Sequence, residues 1–349
     1  MSLIQRAGWL LLAGLMVCSP ALADTDCPAD FAGFQAIQIN SQSRTARPDG
    51  FGALRFVAAR QLTSDAKRFG GLSGIDLLCD NKFVLISDRG NLLTLAFSDE
   101  LSLANTAMIA PLRDAQGQVL AQKNGGKKSD SESMDWDGQT LLVSFEQQHR
   151  ILSFDLAKDG ANAQGQLLAR VSGLAGRANR GMESLARATD GQRIMALERN
   201  QDGTAPLAIT NKTGEIDFSS LQFPLQGRTL LSGFDVLPAS KLQPQLLFSL
   251  HRDWSHEVKG RNTIRIAVTK LVSGEGGTLS LGKTKLLSTF HQAVVGVPGN
   301  NFEGIAVRQL PNGDARLYLI TDNNFDVSGR QVTLLLALDV PKDQLSDFE

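Results

Sequence analysis

Apolar residues fall in short runs along this chain, each closed by Gly, Asp, Asn or Pro. Runs of roughly four to eight residues bounded by such turn formers read as β-strands. Those at 83–87, 140–145, 193–197 and 317–321 are apolar at nearly every position, which predicts strands buried on both faces. Further strands are predicted at 51–62, 151–156, 206–210, 246–250, 264–271 and 332–340. Helix signals are scarce. Segment 122–131 (QKNGGKKSDS) reads as a polar loop, and 341–349 as a frayed, flexible tail.

A phrase recurs through these runs: a small or acidic residue, then Gly or Ser, an apolar stretch, a turn, a second apolar stretch and a closing carboxylate. Its clearest copies run from Ser73-Gly74-Ile75 to Asp88, from Glu183-Ser184-Leu185 to Glu198, and from Glu303-Gly304-Ile305 to Asp322. A looser copy runs from Glu132-Ser133-Met134 to Glu146, and a degenerate one from Gly233-Phe234-Asp235 to His251-Arg252. Repetition at roughly 50–70 residues signals a radial or stacked β architecture. The fold class expected is therefore all-β, a β-propeller of four-stranded blades around a channel. Six blades are expected, with five or seven as alternatives, and the last blade closed by N- and C-terminal strands together. No linker splits the chain, so 24–349 is read as one propeller domain.

Two-residue hairpin loops favour pairs such as Asp-Gly and Asn-Gly. Folding at Asp190-Gly191 sets Glu183 opposite Glu198, and folding at Asn312-Gly313 sets Glu303 opposite Asp322. Asp80-Asn81 likewise sets Ser73 opposite Asp88. Asp137-Gly138 does not bring Glu132 opposite Glu146, so a bulge or longer loop is expected there. Like charges directly opposed destabilise a sheet unless a cation, an arginine, a shared proton or water compensates. If each hairpin forms a blade's two inner strands, these acids form a ring at one end of the channel. The plainer alternative is acids splayed into water at strand ends.

The N-terminus reads as an export signal over 1–23: Arg6, an apolar core at 9–17, and Ala21-Leu22-Ala23 before Asp24. A bacterial periplasmic or secreted protein is expected, and the apolar core is too short to span a bilayer. Cys18 follows the bulky Val17, a poor lipoprotein site. Cys27 and Cys79 are then left as a disulfide candidate, worth about 2–4 kcal/mol. The formal net charge of −1 argues against nucleic acid and against docking to anionic membranes.

The segments GLSGIDLLCDNKFVLISDRG, NRGMESLARATDGQRIMALERN and NNFEGIAVRQLPNGDARLYLITDNNF resemble the phytase-like family described as having esterase-like activity. The resemblance extends over about 51–340. It implies an exported propeller with phosphoesterase or esterase activity resting on recurrent acids, here Asp88, Glu183, Glu198, Glu303 and Asp322. Glu132 and Glu146 match less well. His251-Arg252 stands where an acid-Arg pair is expected, which weakens the case for that blade in a metal site.

Carboxylates, amide oxygens and water suit Ca²⁺. The ligand candidates are Glu183, Glu303 and Asp322, then Asp88 and Glu132, with Asn179, Asn301 and Asn323 as neutral donors. Glu183 and Glu198 are the catalytic candidates, Glu198 as general base. Arg89, Arg180 and Arg252 would hold a small anionic or ester substrate, or pair with the acids themselves. Two rival functions stand beside this one. One is a lactone hydrolase similar to the gluconolactonase family; the other is a non-catalytic binding propeller with structural ion sites. Ser73 lacks the glycine spacing of a nucleophile elbow, and His256-Glu257 lacks a second metal-spaced histidine.

Overall fold

The computed structural model describes residues 30–120, 129–171, 181–198, 203–218, 220–227, 229–240, 243–253, 263–297 and 301–348. Its strands form five sheets, each built outward from one inner strand. Blade 1 runs outward through Leu72–Cys79, Lys82–Ser87, Asn91–Ala96 and Thr106–Pro111. Blade 2 comprises Ser131–Trp136, Thr140–Phe145, Arg150–Asp155 and Gln166–Val171, and blade 3 Met182–Arg187, Arg193–Leu197, Thr204–Thr210 and Leu221–Pro224. Blade 4 contains Leu230–Leu237, Leu246–Asp253, Thr263–Ser273 and Leu279–His291. Blade 5 joins Asn301–Gln309, Ala315–Asp322 and Thr333–Val340 to the N-terminal strand Arg55–Thr63, the closure the chain ends suggested. The five inner strands neighbour one another in a closed ring.

Five blades form rather than the six expected, because the surplus strands are outer edges. Gln35–Gln38 extends blade 1, Gly214–Ile216 crosses from blade 3 to pair in parallel with blade 2, and Asn40–Arg44 extends blade 5. The tail expected to fray instead forms a short helix, Lys342–Ser346, with Leu345 and Phe348 buried against the layer between blades 4 and 5.

The buried apolar residues divide into five layers, one between each pair of neighbouring blades. A sheet covered on both sides needs apolar residues on both faces, which is why the central strands read as continuous apolar runs.

All five inner strands carry a β-bulge at the same place, at Ser73, Glu132, Glu183, Ser232 and Glu303. The next residue is always small: Gly74, Ser133, Ser184, Gly233 or Gly304. At Gly304 a Cβ would lie 2.7 Å from Ile320 Cγ2 and 3.0 Å from the Ile75 backbone nitrogen of blade 1. The phrase read from the chain is thus a bulge followed by a close approach of two inner strands.

Candidate functional site

The bulges decide where the acids point. A bulge leaves one residue unpaired and bends the strand, re-aiming a side chain. Glu132, Glu183 and Glu303 are those unpaired residues in blades 2, 3 and 5. The closing residue of each phrase faces the residue two positions before the bulge. The facing pairs are Gly71 and Asp88, Asp130 and Glu146, Gly181 and Glu198, Leu230 and Arg252, and Asn301 and Asp322.

The expected oppositions of Glu183 with Glu198, Glu303 with Asp322 and Ser73 with Asp88 are therefore corrected. Two hairpins close through three-residue loops, in which the Gly191 N–H donates to Ala188 O (2.9 Å) and the Gly313 N–H to Leu310 O (3.0 Å). Both glycines sit at positive φ, +85° and +89°, where a side chain would be strained. The longer loop moves the register by one residue and the bulge by another. Glu132 and Glu146, expected to fit less well, occupy the same positions as their counterparts in the other blades.

The acids do converge. Asp88, Asp130, Glu132, Glu146, Glu183, Glu198, Glu303 and Asp322 feel one another's charge across blades 1, 2, 3 and 5. Burial, then the Glu303 charge, pushes Asp88 up to about 7. Burial and then Asp322 push Glu303 up to about 8, and burial and then Asp88 push Asp322 up to about 7. Glu146 rises to about 7 through burial, against a 3.0 Å hydrogen bond donated by the Gly181 N–H. Glu132 and Glu183 are driven well above the carboxylate range by burial, then by Glu183 and Glu198 respectively.

Among the described residues, Arg252 is the one cation in ion-pair contact with these acids. Its Nη1 donates to Glu303 Oε1 (2.9 Å) and to Asn301 Oδ1, and its Nη2 lies 3.7 Å from Glu198 Oε1. Burial pulls this guanidinium down, but Glu303, Glu183, Glu198 and Glu132 outweigh it and hold the group above its ordinary value. Asn301 Nδ2 donates to Glu303 Oε1 at 2.5 Å. On the other side, one oxygen each from Asp130, Glu132 and Glu146 lie within 4.8 Å of one another.

Other expected site residues have different surroundings. Arg89 stacks over Phe325, its Cζ 3.5 Å from the ring centroid. Asn323 Oδ1 accepts the N–H groups of Gly71 (2.8 Å) and Phe325 (3.2 Å), so it braces the rim. Arg180, Asn179 and Cys27 lie outside the described residues, as does the 1–23 signal; Cys79 is disulfide-bonded.

Sequence reasoning missed Asp130, which precedes the phrase, and a second acidic set three residues beyond the bulge. Asp76 accepts the Leu77 N–H (2.6 Å) and, from blade 2, the Trp136 N–H (2.7 Å). Asp235 accepts the Val236 N–H (2.7 Å) and, from blade 5, the Val307 N–H (2.6 Å). Asp135 pairs with Arg187 of blade 3 at 2.7 Å. Each clasps one blade to the next. Their signal was the acid closing Ser-Gly-Ile-Asp76, Glu-Ser-Met-Asp135 and Ser-Gly-Phe-Asp235.

A family model described as "Phytase-like: Esterase-like activity of phytase" matches residues 67–325, which includes every inner strand. The chain belongs to the phytase-like family. No curated protein matches this phytase-like chain. Solved structures similar to it include the PQQ domain of pyranose dehydrogenase from Coprinopsis cinerea (9% identity, TM-score 0.45, covering 89% of this chain and 99% of that one). Also similar are the Malassezia sympodialis allergen Mala s 1 (12%, 0.42, 87% and 96%) and the PQQ-bound aldose sugar dehydrogenase of Streptomyces coelicolor (12%, 0.39, 87% and 98%). At these scores the likeness carries no argument about the chemistry of this phytase-like propeller.

Proposed function

We propose that this phytase-like propeller is an exported hydrolase that cleaves a phosphate ester or a related ester at its acidic mouth, with a divalent cation bound there. One observation carries the reading: among the described residues, eight carboxylates from four blades share one rim with a single ion-paired guanidinium. Like charges gathered in a partly buried site cost folding energy, so the arrangement calls for a positive ligand.

The donor set fits a hard cation, since carboxylate oxygens line the rim and Asp88 Oδ1 is buried without a hydrogen-bond partner. Asp88, Glu132, Glu183, Glu303 and Asp322 are the candidate acids to hold Ca²⁺. Such an ion supplies Lewis-acid polarisation of a phosphoryl or carbonyl oxygen and lowers the pKa of bound water. The chain's own residues would do the rest. Glu198 would take the proton from the attacking water, with Glu183 beside it, and Arg252 would keep Glu198 and Glu303 in place. Arg89, at the rim on Phe325, would meet an anionic group of the substrate.

The test is turnover of aryl phosphates, aryl esters and lactones by the full chain, with Ca²⁺ and with EDTA. Calcium-dependent release from phosphates or esters is expected, abolished in Glu183→Gln and Glu303→Gln variants that keep their circular dichroism spectra. Activity on lactones alone, or full activity in both variants, would refute the proposal.

A further inference from the structure

Where blade 5 meets blade 1, the rim of the mouth is made by a strained turn. After the strand Ala315–Asp322 the chain passes through Asn323, Asn324 and Phe325. Asn324 and Phe325 stand in succession at positive φ, +49° and +51°, a left-handed conformation that is costly for any residue with a side chain. Such strain persists only where the surroundings over-determine it. Here they do. Asp322 Oδ1 accepts the Asn324 N–H (2.6 Å), and Asn323 Oδ1 accepts the N–H groups of Phe325 (3.2 Å) and Gly71 (2.8 Å). The Asp326 N–H closes the turn on Asn323 O (2.8 Å).

The turn delivers the Phe325 ring to blade 1. A Cβ at position 71 would overlap both that ring and Asp88 Oδ1, so Gly71 leaves the room that the ring occupies. Over the ring lies the Arg89 guanidinium, its Cζ 3.5 Å from the centroid. Arg89 is itself carried by a fixed turn, in which the Asp88 N–H donates to Gly71 O and the Gly90 N–H to Ser87 O, both at 2.8 Å. Asp88 feels the charges of Glu303 and Arg89, which sets this guanidinium beside the acidic mouth. Among the described residues its side chain makes no hydrogen bond and no ion pair, and none of its nitrogens is buried without a partner. Other arginines that join blade 5 to blade 1 are saturated. Arg308 donates to Asp99 Oδ1 (2.6 Å) and Asp80 O (2.7 Å), and Arg316 to Asp339 Oδ1 (2.7 Å) and Asp99 O (2.6 Å).

We propose that Phe325 is a positioning residue: it holds the Arg89 guanidinium flat at the rim, with the N–H edges open to an oxyanion of the substrate. The inference deepens the hydrolytic reading and takes its substrate from it. Stacking uses the face of a guanidinium and hydrogen bonding uses its edge, so the ring and an oxyanion do not compete. A long side chain fixed before the ligand arrives also loses less freedom on binding.

The experiment titrates the full chain with phenylphosphonate in calcium buffer by calorimetry, with circular dichroism and thermal melting of every variant. The wild type is expected to bind. Arg89→Gln should weaken binding at least about tenfold, the loss of a charge-assisted pair. Arg89→Lys keeps the charge but not the planar fork, and should bind about threefold or more weakly. Phe325→Leu leaves Arg89 in the chain yet should bind about three- to tenfold more weakly, and Phe325→Tyr should return affinity to within about twofold of wild type. In turnover, Phe325→Leu should lower kcat/KM for an aryl phosphate at least about threefold more than for the matching neutral aryl ester. A wild type that binds no phenylphosphonate would overturn the proposal. So would wild-type affinity in Phe325→Leu, whatever its melting temperature, since the ring would then serve packing alone. Wild-type affinity in Arg89→Lys would also overturn it, because a bare charge would suffice. Phenylphosphonate bound as described without turnover of any ester would sink the hydrolytic reading and leave Phe325 in its role. Ester turnover with unaltered affinity in Phe325→Leu would do the reverse.

Discussion

At the residue scale, Arg252 decides the electrostatics of the mouth. It touches Glu303 and Asn301 and lies near Glu198, with its side chain 15% exposed. Removing one partner of a buried ion pair leaves an uncompensated charge and costs about 3–5 kcal/mol. Arg252→Gln is expected to lose about that much in urea denaturation at pH 8 without calcium. The loss should shrink at pH 5, where acids raised to about 7 or 8, such as Asp322 and Glu303, are protonated and need no counter-charge. An equal loss at both pH values would mean that packing, not charge, is what Arg252 supplies. The degenerate phrase ending His251-Arg252 was read as a weak copy. Among the described residues, its blade contributes the cation paired with these acids.

At the scale of elements, the inner strand is the working unit. Its bulge aims an acid into the mouth, its next residue lets the neighbouring blade approach, and its third beyond the bulge can clasp that blade. Gly304→Ala would push a methyl to within 3.0 Å of the Ile75 backbone, so a loss of about 1–3 kcal/mol is expected in denaturant melts. Asp76→Ala strips the acceptor from the Leu77 and Trp136 N–H groups, at about 1–3 kcal/mol per orphaned donor. Proteolysis of that variant is expected to open first between blades 1 and 2. Cleavage distributed evenly over the blades would count against the clasp. The Ser-Gly, Glu-Ser and Glu-Gly pairs were visible in the chain, but their cause was not. Turn propensity alone implied two-residue loops, and nothing in a single strand announces the crowding of the strand beside it.

For the whole molecule, the acid ring couples folding to pH. Unfolded carboxylates ionise near pH 4. In the folded chain Asp88, Glu146 and Asp322 do so at about 7, and Glu303 at about 8. Between those limits the folded state holds more protons on these four groups than the unfolded, so the stability they contribute is full below about pH 4 and is lost as pH rises toward 8. Melting temperature in chelator should therefore fall from pH 5 to pH 8, and calcium at pH 8 should restore it. A flat profile would mean that the acids splay into water. Five blades, the alternative to the six expected, form for a related reason: edge strands such as Gly214–Ile216 are short and join a neighbour's sheet. Strand propensity cannot say which sheet an edge will extend.

Local chemistry determined what the chain could settle unaided: strands rather than helices, a repeated inner hairpin, family membership, and which blades carry acids. These depend on side-chain periodicity and turn formers, which act over a few residues. Closure into five blades, the register of each hairpin and the pairing of Arg252 with Glu303 were decided only in three dimensions. Each depends on contacts between residues far apart in the chain, such as Ile75 against Gly304 and Arg252 against Asn301. Burial then gave the acids their altered proton affinities, because a carboxylate's charge is costly only once its neighbours have displaced the water.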